Sequence, residues 1–292
     1  MNPIFPIFPS FNNDEIDLKT TQKYIDYLID NRANSIMSTA GSSQFNLMTN
    51  DEIREFNKTI INSENKIEKI IGINYGSTSN IKKEIDWLSD NTQNNNYKIM
   101  ILYPERYYKN ETLIDFFYDI ANYSNNEIWI HGMYMRRGNG GIYDYDSDLI
   151  NELSSHDNIT GMKEETSDIN TAFSTVNKIN KNFDVCVAGG SMKRHLFLST
   201  EREVRFLSGI GSLWPTIEID YSKSNLIQKR NIIKEYENPL FDVFMRIGWH
   251  ASIRYSLKKM GYISDNRKPF VELSDDQKKQ IDLIIEEIKQ KI

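Results

Sequence analysis

The residue in this chain best suited to covalent chemistry is Lys163. It closes a mostly apolar run, Ile159-Thr160-Gly161-Met162-Lys163, so its amine should stand at the C-terminal end of a strand. Partial desolvation there favours the neutral amine, the form that attacks a carbonyl carbon. Spacing alone leaves a blander fate open: a lysine that snorkels to the rim, or one paired with Glu164 or Glu165. Other polar residues follow apolar runs in the same way. They are Ser42 and Ser43, Tyr107 and Tyr108, and His131 with Arg136. Gly189 and Gly190 also follow such a run, and there backbone can approach a ligand closely.

The elements that must position these residues alternate along the chain. Candidate strands are Ile4–Phe8, Ser35–Ser38, Lys69–Ile73, Lys98–Tyr103, Glu127–His131, Ile159–Lys163, Asp184–Val187 and Val204–Leu207. Their spacing is about one βα unit. Between them, Asp17–Asp30, Ser79–Leu88, Asn110–Tyr123, Asp146–Leu153 and Ser167–Ile179 read as helices. Thr49-Asn50-Asp51-Glu52 reads as a capping box that opens another. Eight strands alternating with helices imply an α/β fold, a (β/α)8 TIM barrel over 1–215. From 216 to 292 the pattern is helical, ending in Ser274–Ile292 with Ile281, Ile284, Ile285, Ile288 and Ile292 on one face. A barrel of this kind occupies about 250 residues and places its chemistry at the C-terminal ends of its strands.

Bulk properties exclude several classes. A net charge of −6 argues against a nucleic-acid or anionic-membrane partner. No apolar run approaches the length of a membrane span. Met1-Asn2-Pro3-Ile4-Phe5-Pro6 lacks the basic and apolar regions of a signal peptide, which makes the cytoplasm the expected compartment. Cys186, the one cysteine, excludes an intramolecular disulfide and a cysteine-built zinc site, and reads as a small buried hydrophobe. His156, His195 and His250 show no metal-ligand spacing, so neither a metal nor a cofactor is expected. Lys193-Arg194-His195 reads as a solvated helix face. Gly189-Gly190-Ser191 reads either as an anion site at a helix N-terminus or as a plain turn.

Gly161-Met162-Lys163-Glu164-Glu165-Thr166-Ser167-Asp168 resembles the G-x-K-x-x-x-x-D segment around the Schiff-base lysine of the dihydrodipicolinate synthase and N-acetylneuraminate lyase family. Ser38–Thr49 with Glu52-Ile53-Arg54 resembles that family's G-T-T-G-E loop and L-T-x-x-E-R helix start. Ile130–Gly138 resembles its Y-N-x-P-x-R-x-G loop, and Trp249–Gly261 with Arg267-Lys268-Pro269 its C-terminal region. The resemblance implies a barrel that condenses, cleaves or dehydrates 2-oxo acids through a lysine imine. It also implies a homo-oligomer, tetramer or dimer, with a tyrosine passed between neighbouring sites; Tyr107 or Tyr108 is the candidate. Arg136 aligns with the arginine that holds a substrate carboxylate, a task that suits a planar guanidinium.

The departures are as informative as the matches. The family's proton-handling tyrosine falls on His131, its asparagine on Gly132 and its proline on Tyr134. His131 can serve as a general acid/base titrating near working pH. Tyr134 could instead supply the hydroxyl, or the relay is lost. Ser42 keeps the second hydroxyl of the G-T-T-G-E loop, or Ser42 and Ser43 keep both after a one-residue shift. The glutamate becomes Gln44 or Phe45.

The expected function is a class I Schiff-base lyase, aldolase or dehydratase, acting on pyruvate or a sugar-derived 2-oxo acid through Lys163. The alternative is a catalytically degenerate barrel serving as a binding or regulatory subunit. A third reading uses Arg136-Arg137 for phosphorylated sugars without an imine. Neither family enzyme's own reaction fits well, because the tyrosine, the threonine loop and the glutamate are altered together.

Overall fold

Short parallel strands need cover on both faces, and the β-branched, apolar runs of this chain supply it. The structure is a computed structural model that describes residues 2–74, 76–93, 96–102, 109–133, 135–136, 142–143, 147–166, 168–198, 200 and 202–292. It contains eight parallel strands, each followed along the chain by a helix, in the (β/α)8 architecture expected. It falls into two compact units, 68–207 and 2–67 with 208–292.

The discontinuous unit begins with β1 (Phe5–Pro6), α1 (Leu18–Asp30), β2 (Ser35–Met37) and α2 (Asn50–Ile61). β1 and β2 pair in parallel, Phe5 opposite Ile36. Asp17 caps α1 by accepting from the Thr20 amide at 3.0 Å. Tyr24, Ile25 and Leu28 recur at helical spacing and are buried. The Thr49–Glu52 capping box forms as read from the sequence. Glu52 has a second task, because Arg267 donates to its Oε1 at 2.6 Å and lies over the Phe11 ring. That guanidinium holds the Glu52 carboxyl down to about 2.

The continuous unit carries β3 (Glu68–Ile73), α3 (Thr78–Asn91), β4 (Lys98–Ile101), α4 (Asn110–Tyr123), β5 (Ile128–Met133), α5 (Ser147–Leu153), β6 (Ile159–Glu165), α6 (Ile169–Lys178), β7 (Asp184–Val187), α7 (Ser191–Phe197) and β8 (Arg205–Phe206). Each of these strands pairs in parallel with the next in sequence. Two devices set the interior. Gly161 leaves room for the Trp129 indole across the β5–β6 ladder, and a Cβ there would overlap the ring. At the N-terminal ends of the strands, charges interlock. Arg205 reaches Glu68 and Asp184, and Lys98 lies 3.1 Å from Glu68 and 3.2 Å from Glu127. A charged layer at that end serves stability, which leaves the opposite ends of the strands for chemistry.

The chain then returns to the first unit as α8 (Pro215–Lys223), α9 (Leu226–Ile232), α10 (Asn238–Ile247), α11 (Trp249–Lys259) and α12 (Asp275–Lys289). Arg254 of α11 is buried and donates to the Pro9 carbonyl at 2.9 Å and to Asn266 Oδ1 at 2.6 Å. It ties the C-terminal helices to the chain's first turn. α12 buries Ile281, Ile284, Ile285 and Ile288, as its spacing requires, while Ile292, expected on the same face, lies past the helix end and is exposed.

Candidate functional site

β6 continues two residues beyond the expected strand end, to Glu165. Because side chains alternate along a strand, Lys163 and Glu165 share a face and Glu164 lies on the other. Lys163 is opposite His131 of β5 and opposite Cys186 of β7. The Lys163 side chain is 3% exposed and that of His131 1%. Lys163 Nζ lies 3.2 Å from His131 Nε2 and donates to Glu165 Oε2 in a short hydrogen bond. The same Oε2 is 3.0 Å from His131 Nε2. Three ionisable groups thus meet at one point, and the Glu165 side chain is 36% exposed while the other two are buried.

Burial, together with the Lys163 charge, pushes the His131 imidazole down from 6.5 to about 4. Here the structure departs from the expectation of a histidine titrating near neutrality. Burial would raise the Glu165 carboxyl, but the Lys163 charge and the hydrogen bonds from His131 and Lys163 outweigh it and hold the group well below the usual carboxylate range. At neutral pH the cluster therefore holds a carboxylate and an uncharged imidazole, both against Lys163 Nζ.

On the outer face of β6, burial raises the Glu164 carboxyl, opposed by the Lys193 ammonium at 2.7 Å. Glu164 Oε1 also accepts from the Thr166 amide at 2.8 Å. Lys193 belongs to α7, and its stem packs against Gly189. Lys193 and Arg194 are 6% and 2% exposed, so they are not part of a solvated face as the sequence suggested; His195 alone of the three is exposed. Lys193 is buried because it neutralises Glu164, and Arg194 lies over the Phe206 ring at 4.7 Å. Gly189 and Gly190 sit at φ 109° and 88°, the left-handed region where a side chain is strained. Gly190 is the N-cap of α7.

The remaining candidates are placed less fully. Ser42 and Ser43 belong to the other compact unit. Ser43 is buried, and its hydroxyl donates to the Ile7 carbonyl at 2.7 Å and accepts from the Thr39 amide at 3.1 Å, so it shapes the turn. Ser42 is 9% exposed. Gln44 is buried at φ 52°. Arg136 lies in a short antiparallel pairing, opposite Ile142; its side chain lies outside what is described. Tyr107, Tyr108 and Tyr134 lie outside the described residues.

Among the described residues no group of three or more metal-ligating side chains converges, and no helix is long and apolar enough to cross a membrane. Sequence reasoning named Glu165 only as a pairing partner that would hold Lys163, a contact the structure forms, and not as a member of the site. The signal was its i+2 spacing from Lys163, hidden by ending the strand at the lysine.

Comparison with known proteins places the chain. An uncharacterised DapA-like lyase of Thermoplasma acidophilum is 26% identical over 292 residues, spanning 98% of this chain and 97% of its own. The 4-hydroxy-tetrahydrodipicolinate synthase of Methylacidiphilum fumariolicum SolV has the same fold, with a TM-score of 0.84 at 19% identity, over 100% of this chain and 97% of that one. A prophage protein of E. coli K12 from the dihydrodipicolinic acid synthase family, solved in complex with pyruvate, also scores 0.84, at 15% identity over 99% of each chain. The family model described as the dihydrodipicolinate synthetase family matches residues 3–288. The chain belongs to the dihydrodipicolinate synthetase family.

Proposed function

We propose that this protein is a class I Schiff-base lyase, an aldolase or dehydratase, that acts on pyruvate or a sugar-derived 2-oxo acid through an imine on Lys163. The observation that carries this reading is the buried Lys163 amine at the end of β6, in contact with the Glu165 carboxylate and the His131 imidazole. A lysine that must shed protons and then form a C–N bond needs a base within reach of Nζ, and the Glu165 carboxylate is in contact with it.

Nζ attacks C2 of the 2-oxo acid and water leaves, giving a protonated imine. That cation draws electrons from the C2–C3 bond region, so a base can take a proton from C3, or a C3–C4 bond can break, with the electron pair held as an enamine. His131 is the base for C3, because an imidazole held down to about 4 is uncharged at neutral pH. In this reading Arg136 binds the substrate carboxylate, and Gly189 and Gly190 let backbone approach it; Ser42 and Ser43 stay candidates on the sequence resemblance alone. Tyr107, Tyr108 and Tyr134 remain candidates for substrate contact and proton transfer. The active form is a homo-oligomer in the cytoplasm. Dihydrodipicolinate synthesis itself is not the proposed reaction, since His131 stands where the resemblance places a tyrosine.

The test is intact-protein mass spectrometry after incubation with sodium borohydride and a panel of 2-oxo acids, from pyruvate to sugar-derived ones. A reduced adduct of substrate mass is expected with at least one; the absence of any adduct across the panel would overturn the reading.

A further inference from the structure

We infer that Glu165 is a catalytic residue of this site, the acceptor that takes the protons Lys163 must lose and returns them to the substrate's departing oxygen. The inference rests on Lys163 being the imine-forming lysine. Three observations carry it. Glu165 Oε2 touches the Lys163 Nζ that would become the imine nitrogen. The same oxygen is 3.0 Å from His131 Nε2, within hydrogen-bond distance, so one carboxylate oxygen meets both the amine and the imidazole. Finally, Glu165 is the partly exposed member of the cluster and can be reached by a substrate oxygen, while Lys163 and His131 are buried.

The step balances without any further reactant. Lys163 begins as an ammonium with three N–H bonds, and the protonated imine keeps one. Glu165 takes the first proton, which frees the lone pair of Nζ to form the C–N bond to C2 as the carbonyl π pair moves to oxygen. Glu165 gives that proton to the oxygen, takes the second from nitrogen and passes it on. The C–O bond breaks with its electron pair and water leaves. Glu165 ends as the carboxylate it was, ready to stabilise His131 as an imidazolium when that residue takes the C3 proton. The other charged pair on this strand, Glu164 with Lys193, lies on the opposite face and does not compete for these protons.

The experiment measures the rate of borohydride-trapped adduct with pyruvate between pH 6 and 10 for wild type, Glu165→Gln and Glu165→Asp, with Tm recorded for each. Glu165→Gln is expected to form the adduct at least ~100-fold more slowly at pH 7, with a rate that climbs with pH as hydroxide replaces the missing base. Glu165→Asp should recover part of the rate and keep the wild-type pH profile, which covers the case of a glutamine variant that fails to fold. If Glu165 only held the ammonium charge, its removal would free the amine and speed trapping; a rate equal to or above wild type with an unchanged profile overturns the inference while the imine reading stands. Wild type that forms no adduct with pyruvate or with longer 2-oxo acids overturns both.

Discussion

Lys163 and His131 face each other across two neighbouring parallel strands, with Nζ 3.2 Å from Nε2. The register that pairs them also fixes Gly132 opposite Glu164, so both faces of β6 take their partners from one alignment of strands. A slip of one residue would turn Lys163 to the helices and Glu164 to the interior. The β5–β6 ladder is therefore the element on which the proposed chemistry depends.

His131 makes stability depend on pH. Its folded value of about 4 lies below the 6.5 of a free imidazole, so the unfolded chain binds this proton more readily than the fold does. The stability linked to it is complete above about pH 6.5 and drains away as pH falls toward 4, by about 3 kcal/mol in all. Denaturation midpoints of wild type and His131→Asn between pH 7 and 4.5 check this. Wild type should lose more stability over that interval; parallel curves would contradict it.

The buried Glu164–Lys193 pair should matter to folding more than to chemistry. Lys193→Met leaves a buried carboxylate without its counter-charge and is expected to lower stability by about 3–5 kcal/mol. The double variant Lys193→Met with Glu164→Gln should recover most of that loss. Urea unfolding of wild type, the two single variants and the double variant gives the answer, and additive losses would mean that the two groups do not interact.

Much of this was legible in the sequence, for a physical reason. The strands are buried on both faces, so their apolar runs stand out, and Thr49–Glu52 announces a helix start because capping is local. What escaped is what depends on partners distant in sequence. Lys193 looked like surface charge because its burial needs Glu164, twenty-nine positions earlier. The end of β6 was set at Lys163 because Glu164 and Glu165 are poor strand formers; pairing with Gly132 and Met133 carries the strand through them. His131 was expected to titrate near neutrality, and burial beside an ammonium moves it.

The Glu52–Arg267 pair joins a helix cap to the C-terminal segment within one compact unit. Glu52→Gln keeps the capping geometry and loses the charge, so it should cost about 1–2 kcal/mol at pH 7. Since the Glu52 carboxyl is held at about 2 against an ordinary 4.5, wild type loses this advantage as pH falls from 4.5 through 2. The gap between the two proteins in a thermal scan should narrow over that range; a gap independent of pH would assign the effect to packing.

In the proposed reaction Lys163 is the nucleophile. Borohydride reduction in the presence of pyruvate and its longer analogues, followed by peptide mapping, tests it directly. A reduced adduct confined to the peptide that contains Lys163 is expected, and none in Lys163→Met folded to wild-type Tm. An adduct that survives in Lys163→Met, or that maps to surface lysines alone, would contradict it.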